Sequence, residues 1–192
     1  MRTTWLVVCT LALGLCASAW AGTSAVTPTA DTLKVDYFSN ANTAGAPDAT
    51  VRLDNPGTSG GNICAAIYVF DANQEMSECC SCLLTPDGLR TLSVNADLTS
   101  NPLTGVTLST GVIKLVSTVD TGSCPAYPYA FTPTPALRAW VTHIENNNFA
   151  VTETNASDAT LSGNEVSRLE GQCRAIWLDG SGKGRCSCGS GD

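Results

Sequence analysis

The sequence predicts a mainly β protein, a single antiparallel β-sandwich that is immunoglobulin-like or related, with one C-terminal helix and stapled by disulfides. Short apolar segments recur along the chain between clusters of Gly, Pro, Asn and Asp, at the spacing of a sandwich. Eight of the ten cysteines in the 192 residues lie beyond residue 21. One stretch near the C-terminal end has an apolar stripe at helical spacing.

The first 21 residues have the order of an export signal. Arg2 supplies a charge, an apolar run extends from Trp5 to Ala17, and small residues precede a cleavage site after Ala21. The run is shorter than the roughly 20 residues that a membrane-spanning helix needs. We therefore predict a signal peptide over 1–21, no transmembrane segment after its removal, and a product that is extracellular, periplasmic or at the cell surface.

Removal of the signal leaves a chain of the size of one domain. Arg2 is the only charge removed, so the 10 basic and 17 acidic residues of the whole chain become 9 and 17. This acidic balance disfavours nucleic acid and anionic membranes as partners. We predict a flexible, Thr-rich leader over 22–32 and one β-sandwich domain over 33–192.

Seven strands are predicted within that domain: Leu33–Tyr37, Thr50–Asp54, Ile63–Asp71, Leu89–Leu98, Val112–Thr118, Leu137–Glu145 and Phe149–Thr154. Both alternating sets of residues in 63–70 are apolar, which predicts a central strand covered on both faces. The pattern of 89–98 is half apolar and typical of a half-exposed strand. Three asparagines at 146–148 favour a tight hairpin between the last two strands.

One helix is predicted over 163–176. Ser162 and Glu165 form a capping-box pattern at its start. Its apolar stripe includes Cys173, which would then face the core and tie the helix to the sheet. A glycine-rich tail follows the helix.

The cysteines predict four disulfides, because an even number in an exported chain is typical of a disulfide framework. The eight are Cys64, Cys79, Cys80, Cys82, Cys124, Cys173, Cys186 and Cys188. The clusters at 79–82 and 186–188 lack the spacing of about two to four residues between paired zinc ligands, so we predict no metal and no other cofactor. A metal-binding protein is kept as an alternative. The two clusters are expected to bridge each other and to pin the tail to a turn after the central strand.

Ser59 lies in a G-x-S-x-G pattern, which is typical of a nucleophilic serine. His143 is the one histidine and follows Ser59, so the histidine-first order of trypsin-like proteases is excluded. The α/β-hydrolase pattern requires a helix after the serine, where a strand is predicted here. We therefore predict a glycine-rich loop and a partly buried, hydrogen-bonded His143, and the sequence does not favour an enzyme.

Asp71, Asn73, Glu75 and Glu78 form an oxygen-rich turn that could attract calcium outside the cell. The turn lacks the glycine and the terminal glutamate of an EF-hand loop. A solvated turn held by the neighbouring disulfides is the preferred interpretation.

A proline-rich segment from 124 to 135 carries Tyr127, Tyr129 and Phe131. Proline keeps such a loop extended, and exposed aromatic rings on a stiff loop suit a protein or carbohydrate partner. The three residues are the candidate binding surface. A loop folded over the core, with the rings covering it, is the favoured alternative.

These observations predict a secreted, disulfide-stabilised, non-catalytic module that acts as a structural or adhesive component of a cell surface or the extracellular space. A secreted serine hydrolase using Ser59 and His143 is the alternative. Sandwich modules of adhesins and pili are similar in architecture only. Self-assembly through an N-terminal strand is also predicted, since Val26 and Leu33–Tyr37 could complete an open sheet edge of a neighbour.

Overall fold

The structure, a computed structural model, describes residues 32–125 and 131–189. Its nine strands are β1 (Leu33–Phe38), β2 (Thr50–Asp54), β3 (Ile63–Asp71), β4 (Met76–Leu84), β5 (Leu89–Ser93), β6 (Gly111–Val119), β7 (Arg138–Glu145), β8 (Ala150–Asn155) and β9 (Ser157–Ala159). One helix follows them, α1 (Gly163–Asp179). The predicted mainly β fold, with two antiparallel sheets in sandwich-like packing, a C-terminal helix and four disulfides, is confirmed. The immunoglobulin-like version stays a prediction.

The two sheets have different orders. The larger sheet has the order β4-β3-β6-β1-β9 and the smaller has β5-β2-β7-β8. The strands named in each order pair antiparallel with their neighbours. The chain crosses from the smaller sheet to the larger between β8 and β9, through the buried Ala156.

Strand β3 is covered on both faces, as its sequence predicts. Side chains of successive residues in a strand point to opposite faces. One set of β3 residues, which includes Ile67, packs in the core between the two sheets. The other set, which includes Tyr68, packs in a second core with Leu169 and Ile176 of α1. The domain therefore has two cores that share one strand.

Two sequence predictions are wrong along the chain. The cysteine-rich segment expected in a turn is part of strand β4, which pairs with β3 along most of its length, with a bulge at Ser77. The predicted strand 89–98 ends at Ser93, and Val94–Leu98 form a single π-helical turn in which the Ser93 hydroxyl accepts the N–H of Ala96. Serine competes well for backbone groups, and this explains why the alternating pattern did not continue as a strand.

Helix α1 begins at the predicted position and ends three residues later than predicted. The Ser162 hydroxyl accepts the N–H of Glu165 at 3.1 Å, which caps the first turn. The Glu165 carboxylate contacts Lys114 of β6 at 2.5 Å and Arg168, so it anchors the helix to the sheet. Across residues 32–125 and 131–189, the helix is not long and apolar enough to cross a membrane.

Candidate functional site

The cysteines of β4 are divided between the two cores. Cys79 lies in the second core and is bonded to Cys173 of α1. Cys80 lies on the opposite face, in the core between the sheets, and is bonded to Cys186. Because adjacent strand residues point in opposite directions, the Cys-Cys pair serves two different elements.

The C-terminal tail runs parallel to β4. The disulfides Cys80–Cys186 and Cys82–Cys188 both span 106 residues, so tail and strand advance in step. A parallel bridge between β4 and Arg185 has the same offset. The two cysteine clusters therefore bridge each other, but they fasten the tail to a strand rather than to a turn.

The fourth disulfide joins Cys64 at the start of β3 to Cys124. Their sulfurs and the carboxylate of Asp120 lie within 4.8 Å of one another, a spacing that could suit a metal ion. Zinc binds cysteine as a thiolate, and the sulfurs of a disulfide are not thiolates. In this oxidised form the three residues are a cross-link beside a surface carboxylate.

The structure does not bring Ser59 and His143 together. Asp54, the last residue of β2, pairs with Arg138 at the start of β7. His143 lies five residues further along β7, about 17 Å away at 3.4 Å per residue. Ser59 lies in the loop beyond Asp54, where its hydroxyl donates to the carbonyl of Gly61 at 3.3 Å, and strand β3 follows that loop.

His143 is buried and hydrogen-bonded. Its Nε2 lies 2.8 Å from the Thr154 hydroxyl of β8 and 3.5 Å from the Asp36 carboxylate of β1. The Tyr37 ring lies against it with 4.4 Å between ring centroids. Burial raises the pKa of Asp36. These contacts tie three strands together, which is a structural role.

Two of the four residues of the predicted turn, Asp71 and Glu78, use their carboxylates in different ways. Asp71 accepts the N–H groups of Asn73 and Glu75, both at 2.9 Å, so its carboxylate holds the turn closed. Glu78 lies in β4 and is fully buried, and its Oε1 accepts the N–H of Asn101 at 2.9 Å. Burial raises the pKa of Glu78 to about 7.

The candidate binding surface is only partly described, because Tyr127 and Tyr129 lie outside the described residues. Phe131 is partly buried and packs against the second core. Its N–H donates to the Glu170 carboxylate of α1 at 3.0 Å. This ring contributes to the core cover, as in the alternative interpretation of the loop.

One lateral side of the sandwich, where the edge strands β4 and β5 lie, is covered by the tail. The N–H of Cys79 donates to Gly184 at 2.9 Å and its carbonyl accepts the N–H of Cys186 at 3.4 Å. The carbonyl of Ser77 accepts the N–H of Leu103 at 3.0 Å. Both backbone groups of Cys79 and the carbonyl of Ser77 are therefore already bonded.

The edge of β5 is covered through side chains and the nearby tail rather than through a backbone ladder. The N–H of Ser93 donates to Asp97 Oδ2 at 2.8 Å, and the hydroxyl of Ser187 donates to Oδ1 of the same residue at 2.8 Å. The Arg90 side chain donates to the carbonyl of Cys188 at 2.6 Å. The tail thus lies between the two edge strands, and we call this the closed side.

The opposite side carries β8 and β9 and is called the open side. All six residues of β8 are exposed. The N–H of Ala156 donates to the carbonyl of Ala139 at 2.9 Å, so these two residues form a hydrogen-bonded pair. Hydrogen-bonded and non-bonded pairs alternate along an antiparallel ladder, so every second residue of β8 is not bonded to β7. The backbone groups of Val151, Glu153 and Asn155 therefore point away from β7, and no hydrogen bond joins them to another described residue.

Strand β9 is a much smaller edge than β8. Its three residues pair with β1, in the register Leu33 to Ala159 and Val35 to Ser157. The N–H of Ser117 in β6 donates to the carbonyl of Thr32, so the neighbouring residue Leu33 directs its backbone groups towards β9 instead. Ser157 and Ala159 therefore bond β1, and Asp158 is the residue of β9 whose backbone groups point outward. The side chain of Asp158 forms an ion pair with Lys34 of β1.

Comparison of the chain with protein-family models, curated proteins and solved structures finds no match. The β8 edge, which sequence reasoning did not single out, is therefore judged on its geometry alone. A sequence signal for it exists. The run Ala-Val-Thr-Glu-Thr-Asn has small or polar residues on both alternating faces, as expected of a strand that no layer covers.

Proposed function

We propose that this protein is a secreted, non-catalytic module that serves as a structural or adhesive component of a cell surface or the extracellular space. The observation that carries the proposal is the placement of its disulfides. One bond fastens α1, two fasten the tail and one fastens the segment at Cys124, all to the strands β3 and β4.

This cross-linking suits a protein that must persist outside the cell. A domain of this size buries enough surface to fold without disulfides, and each bond contributes about 2–4 kcal/mol beyond that. Such bonds form in oxidising compartments, in agreement with the signal peptide proposed for residues 1–21, which lie outside the described part of the chain. Resistance to unfolding over long times is a property that a structural or adhesive component needs more than a protein that acts briefly.

The geometry also favours a non-catalytic role. Ser59 lies in the loop after β2, beyond the start of β7, whereas His143 lies towards the other end of β7 and bonds to β8 and β1. Buried Glu78 is bonded to the backbone beneath the tail.

For self-assembly, we propose that the donated segment consists of residues 22–31 and does not include Leu33–Tyr37. Leu33–Tyr37 belong to β1, which pairs with β6 on one side and β9 on the other, so these residues do not complete a neighbour's sheet. Beyond Thr32, the ladder position beside β6 is taken by Thr132 and Thr134, which bond Val119 and Ser117. We propose the leader as the segment that joins one copy to the next.

The test is to express the full chain with its signal in an oxidising secretory host. We expect a mature N-terminus at Gly22, no free thiols, and self-association or attachment to surfaces by the purified protein. A fluorophosphonate probe should give no labelling that the Ser59→Ala variant removes. Labelling that depends on Ser59, or a product kept inside the cell with free thiols, would overturn the proposal.

A further inference from the structure

We infer that the outward edge of β8 accepts residues 22–31 of a second copy as an added strand. This acceptor role rests on the proposed self-assembly and specifies its binding site. Strand addition uses the backbone N–H and C=O groups of an exposed sheet edge. Val151, Glu153 and Asn155 supply such groups over the length of β8.

The other edges of the sandwich do not offer a comparable ladder. Those of β4 and β5 are covered by the tail and by the Asp97 carboxylate. The edge of β9 offers Asp158 alone. An unprotected edge as long as β8 invites pairing, and proteins commonly block such edges with charge, proline or a covering segment. The one charge of β8, Glu153, is already paired with Arg52 at 2.8 Å.

The length of the leader favours a second copy over the leader's own chain. The β1–β9 register places Thr32 opposite Thr160, five residues from Asn155, which is about 17 Å along an extended chain. Ten residues reach at most about 35 Å. A chain that paired with its own β8 would use up to half of its leader in reaching that strand, whereas the leader of a second copy can lie along β8 at its full length.

The composition of the leader suits this edge. Residues 22–31 read Gly-Thr-Ser-Ala-Val-Thr-Pro-Thr-Ala-Asp, rich in β-branched residues and without large side chains. The sequence Ala25-Val26-Thr27 occurs again in β8 as Ala150-Val151-Thr152. Both faces of β8 are exposed, so an added strand needs no strongly apolar face.

Pro28 fixes which leader residues bond to β8. Proline has no N–H, so in an edge strand it sits where the backbone nitrogen points to solvent. The odd-numbered residues Thr23, Ala25 and Thr27 would therefore bond to β8, and the even-numbered residues would point outward. The donor segment and the acceptor edge are different parts of the chain, so copies can exchange leaders in a dimer or join head-to-tail into a longer assembly.

The experiment uses mature protein from a bacterial periplasm, where the Asn155-Ala-Ser sequon carries no glycan. Light scattering over a concentration series measures the mass. We expect association that raises the average mass at least about twofold, and its loss in a protein lacking residues 22–31. Ala25→Pro should abolish association, whereas its matched control Val26→Pro should retain it. Glu153→Pro should also abolish association, and Glu153→Ala should not.

A second measurement does not depend on how the β8 variant folds. A synthetic peptide of residues 22–31 is added to protein lacking them, and hydrogen exchange is followed. The amides of Val151, Glu153 and Asn155 should exchange at least about tenfold more slowly with this peptide and not with its Ala25→Pro form.

The outcomes separate this inference from the proposed function. Equal effects of Ala25→Pro and Val26→Pro, or no peptide protection at β8, would overturn the acceptor role. If deletion of the leader abolished association while β8 showed no protection, assembly through the leader would stand with a different acceptor. A mature protein that stays monomeric at all concentrations would overturn both self-assembly and its acceptor.

Discussion

The two lateral sides of the sandwich differ in what happens to their backbone edges. On the closed side the tail bonds to β4 and lies against β5, and two disulfides hold it there. On the open side, β8 presents six exposed residues with half of its backbone groups unused. The tail disulfides therefore affect which edges are accessible as well as stability, because they cover one side of the sandwich and do not reach β8.

The tail can reach the closed side because of a glycine at a crowded point. Gly184 has a φ of 74°, and a Cβ there would lie 2.5 Å from Ile176 Cγ2 and 3.1 Å from the carbonyl of Ser77. Any other residue would be strained and would clash. The glycine-rich sequence is therefore needed for docking, although it cannot hold the tail by itself.

The largest predicted effects come from removing disulfides, beginning with the two that hold the tail. Replacing the four cysteines of its two disulfides, Cys80, Cys82, Cys186 and Cys188, with alanine should lower the free energy of unfolding by about 3 kcal/mol. Because the Cys79–Cys173 bond stays in place, the loop that opens runs from Cys173 to the tail and is only roughly 14 residues long. Removing either disulfide alone should cost only about 1 kcal/mol, since the other still closes nearly the same loop. Urea denaturation measures both.

A matched control is the Cys64–Cys124 bond, which closes its own loop with a separation of 60 residues. Its removal alone should cost about 4 kcal/mol. If each tail disulfide cost as much as the pair together, the two bonds would not act as parallel restraints.

The next effect concerns the buried carboxyl beneath the closed side. Glu78 has a pKa of about 7, raised by burial from the ordinary 4.5, so the folded protein holds this proton more tightly than the unfolded chain does. Its contribution to stability is full below pH 4.5 and is lost as the pH rises through about 7. Relative to Glu78→Gln, the native protein should lose about 2 kcal/mol between pH 5 and pH 8.

Thermal or urea unfolding at the two pH values measures this change. Glu75→Gln, at an exposed position in the turn just before β4, is the control and should leave the pH profile unaltered. An identical pH dependence for the native protein and Glu78→Gln would contradict the prediction.

The smallest effect compares one carboxylate on each side. Asp97→Ala removes bonds to the backbone of Ser93 and the hydroxyl of Ser187, and should cost about 1–2 kcal/mol. Glu153→Ala on the open side removes an exposed ion pair with Arg52 and should cost less than about 0.5 kcal/mol. Chemical denaturation of the two variants tests the contrast, and equal costs would remove this distinction between the sides.

Much of the fold follows from the sequence where burial leaves a pattern. The double apolar alternation of 63–70 identifies β3, and the Ser162 cap identifies the start of α1. Strand β4 was missed because its cysteines, serines and Glu78 lack the β-branched pattern on which strand prediction depends. The three-residue β9 was missed because such a short segment carries no periodic signal.

The candidate site was less predictable because an edge is defined by what is absent beside it. The residues of β8 could be read as a strand, but only the sheet order shows that β8 is outermost. The disulfide pairing also could not be predicted until the strands were known. Once Cys79 and Cys80 are known to lie in a strand, their side chains must point to different partners.

The separation of 106 residues between β4 and the tail cysteines also determines the order in which the disulfides can form during synthesis. A chain that is made from its N-terminus offers Cys64 and Cys124 to each other early, while the three cysteines of β4 wait for partners at 173, 186 and 188. Until those arrive, the thiols of β4 are held unpaired beside an uncovered strand. The closed side is thus the last part of the protein to be cross-linked.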